Sequence, residues 1–276
     1  MLCKERLYAD IGETPVVLGE RSVNFRVNCG GDDVYARIML PALTREDERT
    51  PCVVLLHGYP GLERNMDIPY ALRRAGIACV YFSYRGVWGS KGSYCFSHLI
   101  EDTLCMLDHL REKAEKWHLD PEHLYLVGHS MGGFATLNAI ARGAKVRGAI
   151  CISPCDMGMR CIDEPERFAT MMLTQNSGYF TTPSESYLED DTRAHAHEWR
   201  FTALADKIPQ ELPLRFIGGK KDSTCETETH ILPLYNLLKA RGMDVTLAEA
   251  NDGHAYSAHR IWLTNTIFDY IEEMEQ

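Results

Sequence analysis

The chain has 276 residues, 45% of them hydrophobic and 25% charged, enough to build one large α/β domain or two small ones. Its 29 basic and 39 acidic residues leave a formal net charge of −10, which argues against a protein devoted to binding a phosphate backbone. No apolar run approaches the roughly 18 residues of a membrane-spanning helix, and Met1-Leu2-Cys3-Lys4-Glu5-Arg6 opens no apolar signal segment.

Ten cysteines are present, but no Cys-x-x-Cys pair, and Cys52, Cys79 and Cys151 lie inside strand-like apolar runs. They are expected to be reduced packing thiols, which implies a cytoplasmic location.

From the N-terminus, Val23–Val27 and Val34–Ile38 alternate apolar and polar residues around Gly30-Gly31-Asp32-Asp33, the pattern of an antiparallel hairpin. After Pro51 the pattern changes to short, wholly apolar runs: Cys52–Leu56, Ala78–Phe82, Leu124–Val127, Ala149–Ile152, Leu214–Ile217 and Val245–Ala248. Such runs separated by helical stretches predict a mostly parallel sheet of about eight strands, covered by helices on both faces. Among those helices, Ser97–Lys116 is one, and Thr227–Ala240 stops at Arg241-Gly242.

One segment breaks this rhythm. Between Pro154 and Pro213 there is no buried-strand pattern, only an acidic patch (Glu185, Glu189, Asp190, Asp191) and a helical stretch near Ala194–Ala205. A connection this long predicts a helical cap, residues 155–208, inserted in a core of residues 1–154 and 209–276. The acidic patch is expected to be a solvated face.

The chemistry centres on Gly128-His129-Ser130-Met131-Gly132, where a strand-like run meets a helix rich in small residues. A serine on such a turn needs glycines two residues either side, because side chains there would collide. It also sits at a helix N-terminus, where free N–H groups favour developing negative charge. A serine hydroxyl is a weak nucleophile and needs a base and an orienting acid. Asp222 follows the Leu214–Ile217 run, and His254 follows the last strand in Asn251-Asp252-Gly253-His254. Asp156 is a rival acid, His259 a rival base, and Asp252 reads as a turn former.

These segments resemble the α/β-hydrolase fold, in its esterase and prolyl-oligopeptidase-like branch, over nearly the whole chain. His57-Gly58-Tyr59-Pro60-Gly61 is similar to the oxyanion loop after the third strand, and Tyr84-Arg85-Gly86 to the Arg-Gly loop after the fourth. The resemblance implies Ser130 as nucleophile, Asp222 as acid and His254 as base, in that chain order. It also implies oxyanion donors at the backbone N–H groups of Met131 and Tyr59, since Pro60 has none to give.

The expected activity is hydrolysis of a carboxylic ester of a small or medium-sized substrate. A peptidase, an acyl-aminoacyl hydrolase and a thioesterase share the same triad, and a non-catalytic ligand-binding protein is the alternative of another class. No metal or organic cofactor, nucleic acid or membrane is expected. Trp88, Tyr179 and Trp199 are candidate pocket residues; His57 and Arg85 are read as loop-ordering, and His195-x-His197 as a surface pair.

Overall fold

The computed structural model describes residues 2–10, 16–61, 64–173 and 178–276. An antiparallel hairpin, β1 (Arg21–Cys29) and β2 (Asp32–Leu40), leads into six further strands: β3 (Thr50–Leu56), β4 (Ala78–Phe82), β5 (Leu119–His129), β6 (Gly148–Ile152), β7 (Leu214–Gly219) and β8 (Val245–Ala250). They form one sheet in the order β1-β2-β4-β3-β5-β6-β7-β8, parallel from β4 onward. This is the α/β-hydrolase architecture, a mostly parallel eight-stranded sheet flanked by helices.

Burial follows from strand position. β1, at the edge, alternates exposed and partly buried residues, whereas every residue of β3 is buried. The two faces of β3 feed separate cores. Cys52, Val54 and Leu56 belong to the larger, with α2 (Phe96–Glu112), α4 (Met131–Ala141) and α10 (Leu232–Ala240). Val53 and Leu55 point to the other, covered by α1 (Asp67–Arg74) and α11 (Arg260–Glu275). That period-two division is the signature of a sheet buried on both sides.

Two predicted helices are divided. The first ends at Glu112 and is followed by α3 (Ala114–Trp117). The second breaks into α9 (Thr227–His230) and α10, because Pro233 in the first turn of α10 has no N–H with which to continue the preceding helix. Between β6 and β7 lie α5 (Met157–Asp163), α6 (Pro165–Met172), α7 (Tyr187–Trp199) and α8 (Phe201–Leu204). Residues 174–177 of the expected cap lie outside the described residues.

Two expectations are corrected here. Cys29 and Cys105 form a disulfide, with Cα atoms 5.9 Å apart, so the ten cysteines are not uniformly free thiols. The pairing depends on the end of β1 packing beside α2, across 76 residues of sequence, which cysteine spacing does not reveal. The acidic patch is only partly a solvated face. The Asp191 carboxylate turns inward and accepts from Ser97 N at 3.0 Å and from Ser97 Oγ, occupying the N-terminus of α2, where the helix dipole favours an anion. No helix among the described residues is long and apolar enough to cross a membrane.

Candidate active site

Ser130 stands between the end of β5 and the start of α4 with φ 57° and ψ −117°, a backbone conformation that L-residues rarely adopt. Neighbouring backbone fixes it there: its N–H donates to Ile152 O at 2.8 Å, and its carbonyl accepts from Gly133, Phe134 and Cys155. The flanking glycines are demanded by distance. A Cβ on Gly128 would lie 2.2 Å from Gly132 O, and one on Gly132 would lie 2.1 Å from Leu56 O.

His254 and Asp222 come from loops after β8 and β7. His254 Nδ1 lies 2.7 Å from Asp222 Oδ2, while Asp222 Oδ1 accepts the backbone N–H groups of Thr224 (2.8 Å) and Cys225 (2.9 Å). Burial alone would raise the Asp222 carboxyl, but His254 and the Cys225 N–H outweigh it and hold the group down at about 2. It is a carboxylate throughout the neutral range, suited to keep a proton on Nδ1 and leave Nε2 as the base.

A second histidine supports this one. His129 Nε2 donates to His254 O at 2.9 Å, and its Nδ1 accepts from Asn65 Nδ2 at 3.3 Å, the pattern of a neutral ring. Burial pushes His129 down to about 3, so its ring, 4.8 Å from that of His254, adds no competing charge. Among the described residues Ser130 Oγ has no hydrogen bond of its own; such contacts commonly tighten only with substrate present.

The N–H of Met131, first in α4, has no backbone acceptor among the described residues and is available to an anion. The loop after β3 lies against Ser130, with an ideal Gly58 Cβ 3.2 Å from Ser130 Cβ, and Tyr59 joins Ser130, Met131 and His254 around one cavity of about 540 Å³.

A model of the alpha/beta hydrolase family matches residues 53–259. The chain belongs to that family. The chain is 28% identical over 194 residues to YfhR of Escherichia coli (strain K12), covering 70% of this chain and 60% of YfhR, so it spans about 60% of that relative's length. It is similar in fold to Est1E from Butyrivibrio proteoclasticus (TM-score 0.68, 17% identity, covering 91% of this chain and 98% of that one). The acylaminoacyl peptidase of Pyrococcus horikoshii is matched with the same TM-score and identity, over 93% of this chain and 42% of that one.

The remaining cavity wall is drawn from the segment between β6 and β7 and from the loop after Asp222. Met157, Arg160, Arg167 and Met171 come from α5 and α6, and Ser223 and Thr224 from the loop. None of the three aromatics expected at the pocket lines it. Trp199 is buried, with its ring against Phe134 and His195. Trp88 and Tyr179 are partly exposed neighbours, their ring centroids 6.0 Å apart. Aromatic bulk made them candidates, but bulk is equally what a core requires.

The rival residues have other partners. Asp156 caps α5 through Met159 N and also accepts from Phe201 N, both at 2.8 Å, and His259 pairs with Asp252. His57 is buried against Tyr84 and donates to Gly58 O, with burial lowering it to about 4. Arg85 makes a 2.6 Å ion pair with the buried Asp102, bracing its loop against α2. A larger cavity of about 690 Å³, lined in part by Arg111, His123 and Arg215, opens beside the starts of β6 and β7, away from the triad candidates.

Sequence reasoning passed over Arg160 and Arg167. Both donate to the Thr224 carbonyl, and Arg167 also to Ser223 O, tying α5 and α6 to the loop that carries Asp222. They lie on separate helices, broken at Glu164-Pro165, so no single helical periodicity joined them in the sequence.

Cys155, Cys225 and His230 bring potential ligand atoms within 4.8 Å of one another. The set does not suit a metal. His230 Nδ1 accepts from Asp156 N and its Nε2 lies 2.8 Å from the Arg160 guanidinium, which would repel a cation.

Proposed function

We propose that this family member is a serine hydrolase that cleaves carboxylic esters of small or medium-sized substrates through an acyl-enzyme. The observation that carries the reading is the 2.7 Å His254–Asp222 pair facing, across one cavity, a serine held on a strained strand-to-helix turn. In this scheme Ser130 Oγ attacks the carbonyl carbon while His254 Nε2 takes its proton, and Asp222 orients and stabilises the imidazolium. The N–H groups of Met131 and Tyr59 receive the oxyanion, where loss of one donor in comparable sites costs about 3–4 kcal/mol. His254 then protonates the departing alcohol. Water, activated by the same base, attacks the acyl-enzyme and frees the acid and Ser130.

The ester reading takes its lead from the likeness in fold to Est1E, which has been seen with ferulic acid bound. The cavity, with its Met131, Met157 and Met171 surfaces, offers thioether walls that adapt to varied acyl groups.

The test is turnover of short-chain p-nitrophenyl esters by the wild type and Ser130→Ala, with labelling by a fluorophosphonate probe. Activity confined to the wild type and a label on Ser130 are expected. An undiminished rate in Ser130→Ala would overturn the assignment. Parallel assays on aminoacyl amides and acyl thioesters decide the bond cleaved; faster turnover of either would displace the ester reading.

A further inference from the structure

Two thiols sit side by side in this region and have no part in the proposed hydrolysis. Cys155, just beyond β6, lines the cavity, and its backbone N–H donates to Ser130 O at 3.0 Å. Cys225, three residues after Asp222, gives its backbone N–H to Asp222 Oδ1 at 2.9 Å. Their Sγ atoms lie within 4.8 Å of each other, and neither cysteine is in a disulfide. Each thiol therefore hangs from a backbone segment that holds a member of the proposed triad.

The surroundings distinguish the two. The neighbouring Cys225 thiol and the charge of Arg160 draw the Cys155 thiol below its ordinary range, while burial pushes that of Cys225 well above it. A thiol drawn toward ionisation, beside one held in its protonated form and within reach of it, is the arrangement of an attacking and a resolving cysteine. The cavity supplies a route by which a small molecule can reach Cys155.

We propose that Cys155 and Cys225 form a reversible dithiol–disulfide site that takes a small hydroperoxide through the substrate cavity and, when closed, slows the hydrolase. The Cys155 thiolate attacks one peroxide oxygen, the O–O bond breaks, and hydroxide leaves with the electron pair, giving a sulfenic acid. Cys225 sulfur then attacks that of Cys155. The S–O bond breaks, and the departing hydroxide takes the Cys225 proton as water. For hydrogen peroxide, two thiols and one peroxide become one disulfide and two waters; a dithiol reductant reverses the change. Closure brings the sulfurs to about 2.05 Å, drawing the Asp222 loop toward the backbone that fixes Ser130. The effect on turnover rests on the functional reading above; formation of the bond does not.

The experiment treats wild type, Cys155→Ala and Cys225→Ala with stoichiometric hydrogen peroxide. Each is assayed for ester turnover against its own untreated rate, then denatured, alkylated, digested and mapped by mass. In the wild type we expect a cross-linked Cys155–Cys225 peptide, a loss of about tenfold or more in rate, and recovery with dithiothreitol. Neither variant should form the cross-link, and Cys155→Ala should keep its rate. Absence of the cross-link in treated wild type would overturn the proposal, whether or not the variants fold. A cross-link without rate loss in an active enzyme would overturn its regulatory half, as would a loss that dithiothreitol fails to reverse, the mark of methionine oxidation. A protein inactive on every ester that still forms the cross-link would instead defeat the ester reading.

Discussion

Replacing Asp222 with asparagine exchanges one oxygen for an NH₂ group, and three hydrogen bonds decide the consequence. Oδ1 accepts from Thr224 N and Cys225 N, while Oδ2 faces His254 Nδ1 at 2.7 Å. If the amide oxygen stays with the two backbone donors, the NH₂ faces His254 and Nδ1 must accept. The ring proton then resides on Nε2, the atom required to take the Ser130 proton. Turning the amide over restores the His254 contact but sets an NH₂ against two N–H groups. Leaving two N–H groups without an acceptor, at about 1–3 kcal/mol each, makes that orientation about 2–6 kcal/mol worse. The favoured orientation leaves Nε2 protonated and the competent one is scarcely populated, so kcat should fall by about 10⁴, the effect of a wrong tautomer in other triads, or about 5 kcal/mol. The assay is hydrolysis of a p-nitrophenyl ester, with a urea titration to establish that the variant is folded. Asp156→Asn is the companion: it disturbs the cap of α5 and the bond to Phe201 N, so its urea midpoint should fall while kcat stays near wild type. A folded Asp222→Asn that loses less than about tenfold, or a folded Asp156→Asn that loses catalysis, would refute the reasoning.

Backbone strain at Ser130 is measurable separately from chemistry. With φ 57° and ψ −117°, position 130 suits glycine, and relief of about 1–3 kcal/mol exceeds the roughly 0.5–1 kcal/mol entropic cost of glycine. Ser130→Gly should thus melt above Ser130→Ala in calorimetry, and an equal or lower Tm would contradict the strain argument. Gly132→Ala sets a methyl 2.1 Å from Leu56 O, where only backbone can yield, so a loss of about 1–3 kcal/mol in urea and a steep fall in kcat are expected; a neutral variant would show that β3 and α4 can part. Asp222 also shapes acid stability. Its folded value, near 2 against an ordinary 3.8, contributes stability that is complete above about pH 4 and is lost as pH falls toward 2. Urea midpoints of the wild type should therefore fall more steeply across that interval than those of Asp222→Asn, and parallel curves would tell against it.

Much of the sheet was legible because buried parallel strands are continuous apolar runs: Ala78–Phe82 has the bounds its residues suggest, and the others extend the expected runs by a few residues. The turn at Ser130 was legible for a different reason, since its two glycines answer to steric demands that no other residue meets. The cavity wall was not. Its residues lie on short helices whose faces are set by what they pack against. On α6, Phe168 and Met172 turn into the core while Arg167, Thr170 and Met171 face the cavity, and nothing local in the sequence says which stripe is which. The disulfide was hidden by the same non-locality, since Cys29 and Cys105 meet only once the hairpin lies beside α2.

The core shared between the sheet and the segment joining β6 to β7 bears on how specificity could change. Phe168, Leu188, Trp199 and Phe201 belong to the same apolar cluster as Val54 and Phe134, and Asp191 is fixed at the end of α2. Swinging this segment away as one body would expose that whole apolar interface, so in the proposed enzyme we read it as a fixed vestibule and not as a door. Entry is then a question of side-chain rearrangement at the rim. One short helix holds both duties on opposite stripes, so changes at positions 167, 170 and 171 can reshape what the vestibule admits while 168 and 172 keep it anchored.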